Sequence, residues 1–301
     1  MPKDRIKTAV IGIGSWGKQI ALELNTISNL SAYVSLGSEL NTSWALEHLP
    51  DVHPSTLEKL CADTSIKAVA IATPIKTHAR ISEQLLKTKK HIFIEKPTAE
   101  TSQEARLLAE KAAHGSLLLV TGYIFLYSSV YRELKRHIGE IGVKKVVCTW
   151  RKYGTFIEPI EFNLLTHHLS IALDLLGEPL TITTLRHTSL DDTVCNKIDT
   201  TLVYGVSTFI SSIDRTSKDK SHTIEVFLND GTSFLWDDSI LFKRQADHAN
   251  YVRIYENGEK PLTLELQSFV EAVQGKNTYL PSSGVFGAQV LQLLERITTM
   301  T

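Results

Sequence analysis

At 301 residues the chain reaches the ~250–300 at which one hydrophobic core stops growing, so two domains are expected. Its 43% hydrophobic and 22% charged residues are ordinary for a globular protein, and a formal net charge of −1 argues against nucleic acid or an anionic membrane as partner. No run approaches the ~18 apolar residues of a membrane span, and the first residues lack the long apolar region of a secretion signal. Cys61, Cys148 and Cys195 lie far apart without metal-ligand spacing, which fits free thiols in a reducing cytoplasm, the expected location.

In chain order, residues 7–13 read as a short strand and 16–24 as a helix. Residues 32–36 read as a second strand and 43–49 as a helix, and 68–72 (AVAIA) is apolar throughout, as a strand covered on both faces requires. Then 79–86 is expected as helix, 91–94 as strand, 102–113 as helix and 117–120 as strand. That alternation predicts a Rossmann-type α/β domain over residues 1–122, with a doubly wound parallel sheet.

Beyond residue 122 the pattern changes. Residues 129–137 read as a helix, 145–152 as a strand, and 164–176 as a helix ending at Gly177. Several strand-like runs follow: 201–213 is β-rich, and 223–228 and 233–236 flank Asp230-Gly231, a hairpin signal. Helices are expected around Phe269-Val270 and over 285–297. Residues 123–301 are therefore expected to form an α+β domain with a largely antiparallel sheet, suited to substrate binding and oligomerisation.

Gly12-Ile13-Gly14-Ser15-Trp16-Gly17 sits between the first strand and the first helix. In a dinucleotide site the first glycine makes the tight turn, the second lets backbone approach the pyrophosphate, and the third lets helix pack on strand. Gly12, Gly14, Ser15, Trp16 and Gly17 are therefore expected cofactor-binding residues. An acidic residue at the end of the second strand ordinarily bonds the NAD ribose. Here that strand runs into Ser35-Leu36-Gly37-Ser38, with no carboxylate before Glu39 and no nearby Arg or Lys. Ser35 and Ser38 can hydrogen-bond either form, so NAD and NADP both stay open. The third strand leads into Ala72-Thr73-Pro74 and His78, the fourth into Glu95-Lys96-Pro97, both where strand ends face the ligand crevice of an open α/β sheet.

These pieces together resemble the Gfo/Idh/MocA oxidoreductases, particularly the branch acting on nucleotide-linked or related sugars. The resemblance rests on residues 12–17, on Ala72-Thr73-Pro74 with His78, and on Glu95-Lys96-Pro97. It continues through Gly122-Tyr123-Ile124-Phe125-Leu126-Tyr127, Gly139 to Gly142, Arg151 to Gly154, and the segment NLLTHHLSIALDLLG from Asn163 to Gly177. Pro261-Leu262, Glu265, Phe269-Val270 and Gly275-Lys276 follow in the family's order.

The resemblance implies hydride transfer between a nicotinamide and a hydroxyl-bearing carbon of a sugar-like small molecule. Lys96, before a Pro97 whose peptide bond is often cis in the family, is implied beside the reacting hydroxyl, where a fixed cation stabilises a developing alkoxide. His167 falls at the active-site histidine and is implied as proton acceptor, a role that suits an imidazole. Thr73, Pro74, His78, Glu95 and Lys96 are implied at the cofactor, and Lys96, Tyr123, Arg151, Asn163 and His167 at the substrate. His168 points ~100° away on a helix, so one of the two histidines faces the site. No metal is implied. The open sheet of the second domain is expected to pair copies into a homodimer or homotetramer.

One position departs from the family. Asn163 stands where Asp is usual, four residues before His167, and an amide takes no proton; Glu161 is a possible substitute. Two further readings stay open: a catalytically silent dinucleotide-binding sensor of the same fold, and a reductase of a non-sugar carbonyl or imine.

Overall fold

Residue pattern and chain path agree first at β1 (Lys7–Ile11), in which Thr8, Ala9, Val10 and Ile11 are buried on both faces. The computed structural model describes residues 5–35, 39–153, 158–188, 195–276 and 278–299, with only the backbone of 187 and 188. The described chain divides into two units, one of residues 1–124 and 260–292, the other of 125–259 and 293–301.

The first unit follows β1 with α1 (Ser15–Ile27), β2 (Asn29–Val34), α2 (Glu39–His48), the short β3 (His53–Pro54) and α3 (Leu57–Ala62). Then come β4 (Ile66–Ile71), α4 (His78–Lys87), β5 (His91–Glu95), α5 (Ser102–His114) and β6 (Leu119–Gly122). All six strands are parallel in the order β3-β2-β1-β4-β5-β6, with the reversal of strand order between β1 and β4. Such a switch point is where open α/β sheets bind ligands.

The second unit opens with α6 (Ser129–Ile138) and β7 (Val143–Arg151), then α7 (Thr166–Leu176) and β8 (Thr181–Thr188). A run of strands follows: β9 (Cys195–Tyr204), β10 (Ser207–Asp214), β11 (Ser221–Leu228), β12 (Ser233–Asp237), β13 (Ile240–Arg244) and β14 (Val252–Glu256). They form an eight-stranded sheet in the order β14-β13-β12-β11-β7-β10-β9-β8, antiparallel except for the parallel pair β7–β10. The run read as β-rich over 201–213 is two strands, turned at Gly205, whose φ of +69° suits glycine.

A single boundary near residue 122 was expected from sequence; instead α8 (Pro261–Val273) returns to the first unit, as does α9 (Gly284–Thr298) up to Gln292. The reason is burial. Leu262, Leu266, Phe269 and Val270 on α8 join Val10, Ile20, Leu24, Ala68, Ala70 and Phe93 in one apolar cluster, with the Phe269 and Phe93 rings 5.9 Å apart. A helix presenting four such residues on one stripe is stable only where a sheet covers them. Among the described residues no helix is long and apolar enough to cross a membrane.

Candidate functional site

In the first unit, register gathers the motifs at one edge of the sheet. Ile11 pairs with Val34 and Ile71, Ile71 with Ile94, and Glu95 with Gly122. Gly12, Ser35, Ala72, Lys96 and Tyr123, each following its strand, therefore leave the sheet side by side. Ser38 lies outside the described residues.

The three glycines divide their work as the motif requires. Gly12 has a φ of +89°, and a Cβ there would lie 2.6 Å from the Ala72 carbonyl oxygen. A Cβ on Gly17 would lie 1.9 Å from the Gly12 carbonyl oxygen, so only glycine lets α1 approach the turn this closely. Gly14 differs: a Cβ there meets nothing within 4 Å, and no side chain caps the helix that begins beside it. The first N–H groups of α1 have no intrahelical acceptor. Open space in front of uncapped N–H groups at the positive end of a helix fits a pyrophosphate. Ser15 and Trp16 are exposed on that first turn.

The turn after β4 is held from behind. The Thr77 hydroxyl oxygen lies 2.7 Å from both Thr73 Oγ1 and the Pro74 carbonyl oxygen. His78 is buried, with Nδ1 2.9 Å from the Pro97 carbonyl oxygen and Nε2 2.8 Å from that of Thr73. Burial holds its pKa below the ordinary value, so a neutral ring donates to one of the two carbonyls. The expected cofactor contact at His78 is thus replaced by a clamp, because both ring nitrogens are committed to main chain. It ties the Thr73-Pro74 turn to the Lys96-Pro97 turn.

That second turn carries the charged groups. The Lys96–Pro97 bond is cis, as the resemblance implied. Lys96 and Glu95 are half-buried at the end of β5. The Trp16 indole Nε1–H donates to Glu95 Oε1 at 2.5 Å, linking the glycine turn to the lysine turn. Burial pushes the Glu95 carboxyl up to about 7, against the opposing pull of Lys96 and of the indole bond. Gly122 stands opposite, where a Cβ would sit 3.0 Å from Glu95 Oε1. Tyr123, expected at the substrate, is instead fully buried, its ring edge-on to Phe286, and its hydroxyl has no hydrogen-bond partner among the described residues. Burial and the charge of Glu95 both raise the Tyr123 pKa.

In the second unit, His167 and His168 open α7, and both are buried. The ring of His167 lies edge-on to Phe125, centroids 5.1 Å apart, and 5.8 Å from that of Trp150. His168 turns the other way: Nδ1 lies 2.7 Å from Ser211 Oγ, and Nε2 lies 3.2 Å from His222 Nε2. Burial and His222 hold His168 well below the ordinary histidine range, and burial brings His222 to about 4. Both rings are neutral at pH 7.

Strand alternation separates two residues that the sequence places together. Along β7, Val146, Cys148 and Trp150 face the same side, and Trp150 pairs across the sheet with His222 at 4.3 Å between centroids. Arg151, next in sequence, therefore points to the opposite face, where it lies 3.8 Å from Asp214, itself 3.4 Å from Lys197. The expected grouping of Arg151 with His167 is not formed; Trp150 and Phe125 stand beside His167 instead, with His222 against both of those rings. Gly154, in the same motif, lies outside the described residues.

The helix spacing invoked for Asn163 also changes. Residues Glu161–Leu165 form a π-helical turn, closed by the Thr166 N–H onto the Glu161 carbonyl, so a separation of four no longer repeats on one face. Asn163 donates from Nδ2 to Glu158 at 3.0 Å. Glu161 is buried and pairs with Arg186 at 3.2 Å, which removes it as a substitute base. Sequence reasoning passed over Trp150 and His222 as single aromatics in strands, and named Glu265 only as part of a family pattern. Among the described residues no cluster of histidine, cysteine and carboxylate could hold a metal.

A doubly wound sheet with a glycine-turn helix at its switch point, followed by a mixed sheet carrying a buried histidine pair, defines the class: a Rossmann-type dinucleotide-binding protein with a second α+β unit. Residues 6–123 match the model of an oxidoreductase family with an NAD-binding Rossmann fold, the Gfo/Idh/MocA family. Its fold is similar to that of UDP-N-acetylglucosamine 3-dehydrogenase from Acidithiobacillus ferrooxidans, with a TM-score of 0.90 and 20% identity, over 98% of this chain and 97% of that one. In sequence, the dehydrogenase of that name from the same organism is 32% identical over 40% of this chain and 37% of its own length. An inositol 2-dehydrogenase from Agrobacterium fabrum is 28% identical over 44% of this chain and 41% of its own. The chain thus matches less than half the length of these relatives.

Proposed function

We propose that the chain is a nicotinamide-dependent oxidoreductase acting on a hydroxyl-bearing carbon of a sugar-like substrate. The observation that carries this reading is the shared sheet edge of the first unit, where the open, uncapped turn at Gly14 leaves β1 and the half-buried Lys96 leaves β5, with β4 between them. A nicotinamide dinucleotide bound there supplies hydride acceptance or donation. Gly12, Gly14 and the first N–H groups of α1 hold its pyrophosphate, Ser35 its ribose side, and the clamped Thr73-Pro74 turn its flank. Lys96 holds the reacting hydroxyl and stabilises negative charge on its oxygen. His167 is the side chain that the resemblance offers as proton acceptor. Its ring stands among Trp150 and Phe125, whose faces suit the apolar C–H face of a sugar. The similarity to inositol and UDP-N-acetylglucosamine dehydrogenases supports a polyol or nucleotide-linked sugar as substrate.

A second reading, dinucleotide binding without turnover, is favoured by Asn163: an amide stands where the family's carboxylate is usual, and Glu161 is committed to Arg186. One experiment separates the two. Free polyols and nucleotide sugars are screened with NAD⁺ and NADP⁺ by nicotinamide absorbance, alongside calorimetry of cofactor binding to the parent and to Gly14→Val. Turnover in the parent, with binding lost in Gly14→Val, is the expected result. Binding without turnover on any substrate supports the silent reading, and tight binding to Gly14→Val places the cofactor elsewhere.

A further inference from the structure

His222 uses one ring nitrogen and leaves the other open. Its Nε2 lies 3.2 Å from Nε2 of His168, whereas its Nδ1 has no hydrogen-bond partner among the described residues. The indole N–H of Trp150, the residue paired with it across β7 and β11, is likewise unbonded among the described residues. Neither nitrogen is sealed from the surface, and the rings of Phe125, Trp150 and His222 are each only partly buried. Two N–H donors therefore stand together with nothing of the second unit to receive them.

The proton on His222 is placed by the residues behind it. Ser211 is buried, and its hydroxyl meets Nδ1 of His168 at 2.7 Å, its one hydrogen-bond partner among the described residues. Were that hydroxyl to accept, its own proton would be buried with no acceptor, so it donates. His168, held neutral by burial, accepts at Nδ1 and so carries its proton on Nε2. The planes of the His168 and His222 rings are 13° apart and their centroids 5.4 Å apart, so the two Nε2 atoms meet edge to edge, and the His168 N–H donates to His222. A neutral His222 that accepts at Nε2 carries its own proton on Nδ1, the nitrogen left open.

We propose that Ser211, His168 and His222 form a one-way row of hydrogen bonds that fixes the His222 proton on Nδ1, and that this N–H and the Trp150 indole N–H together recognise the oxygens of a sugar-like ring. Both donors are uncharged, which suits hydroxyl and ring oxygens. The Trp150 ring lies 4.3 Å from that of His222 and the Phe125 ring 4.7 Å, so apolar surface for the C–H face of such a ring stands beside the donors. The part of this site in turnover rests on the oxidoreductase reading; the fixed proton and the sugar contact do not.

The test uses the full chain without any dinucleotide. Nitrogen–proton correlation spectra at neutral pH tell a protonated imidazole nitrogen from a bare one. His222→Phe, or His222→Gln where that variant does not fold, assigns the His222 signals among those of the 11 histidines, and Trp150→Phe assigns the indole among the four tryptophans. His222 is expected to carry its proton on Nδ1 in the parent, and Ser211→Ala to release it to both nitrogens. A parent His222 protonated on Nε2, or a proton that stays on Nδ1 in Ser211→Ala, overturns the proposal. Inositol, a carbocyclic polyol, and N-acetylglucosamine, a pyranose, are then titrated in. At least one is expected to move the His222 Nδ1–H and Trp150 indole signals, and to bind His222→Phe about tenfold more weakly by the indole signal, one hydrogen bond being lost. Neither signal moving with either compound at about 50 mM, well above the ~1 mM of a weak site, overturns the sugar contact, as does unchanged affinity in His222→Phe. A dinucleotide that fails to bind in calorimetry would sink the oxidoreductase reading and leave these signals as they are, so the two failures are told apart.

Discussion

Gly14 and Gly17 are three residues apart in one motif, yet the structure gives them opposite demands. A methyl on Gly17 would meet the Gly12 carbonyl at 1.9 Å, whereas one on Gly14 meets nothing within 4 Å. Gly17→Ala is therefore expected to lower the thermal midpoint by many degrees, overpacking of this kind typically costing ~1–3 kcal/mol or more. Gly14→Ala should melt as the parent does; equal melting of the two variants would remove the packing argument. For the proposed chemistry, Lys96→Ala and His167→Ala are each expected to lower turnover by ~10²–10⁴-fold with little change in cofactor affinity, the range set by charge stabilisation and general acid–base assistance. Steady-state rates beside calorimetric affinities check this. Unchanged turnover in both variants would take the reaction away from these residues.

Most of these residues are legible in the sequence because a glycine turn between strand and helix is a local signal. His78 shows the limit. Its spacing from Thr73 is local, but the commitment of its other nitrogen to Pro97 depends on β5 lying beside β4, which no local pattern reports.

At the scale of elements, α7 meets the sheet through histidines that stay neutral. His168 bonds Ser211 on β10 and His222 on β11, two residues that strand pairing on either side of β7 brings under the helix. Both histidines have pKa values below the ordinary 6.5, His222 at about 4, so the unfolded chain binds more protons than the folded one below pH 6.5. Their contribution to stability is therefore whole above pH 6.5 and is lost as the pH falls toward 4. The loss is expected to be on the order of 2–3 kcal/mol. Thermal melts of the parent between pH 7.5 and about 4.5 should show this fall, and His222→Phe should flatten it. A parallel fall in that variant would assign the acid sensitivity to other groups.

Strand alternation explains why Arg151 was misplaced and Trp150 missed. The sequence shows both at a strand end, but which face α7 covers is decided only when β7, β10 and β11 are paired. The π-helical turn at Glu161–Leu165 is likewise invisible to a spacing rule that assumes 3.6 residues per turn.

At the scale of the whole molecule, the first unit is discontinuous. Leu262, Leu266, Phe269 and Val270 complete its core from the far side of the second unit's sequence. Each such side chain is worth ~1.5–3 kcal/mol on burial, so losing α8 removes ~6–12 kcal/mol. That is comparable with the ~5–15 kcal/mol of net stability of a typical protein. A fragment of residues 1–124 is thus expected to show no cooperative unfolding, and the same fragment joined by a flexible linker to residues 260–292 to regain it. Calorimetric melting of both fragments checks this; a cooperative melt of 1–124 alone would show the core complete without α8.

The alternation of strand and helix, the glycine turn and the Glu95-Lys96-Pro97 exit were determined by the sequence itself. They rest on local periodicity, and on glycines whose backbone freedom or missing side chain is needed wherever they occur. Only the tertiary structure decided that α8 closes the first unit, and that Trp150 and not Arg151 accompanies His167. Those are meetings of residues from distant strands and helices, selected by which faces must be buried together, and burial is a property of the assembled sheet and not of any one segment.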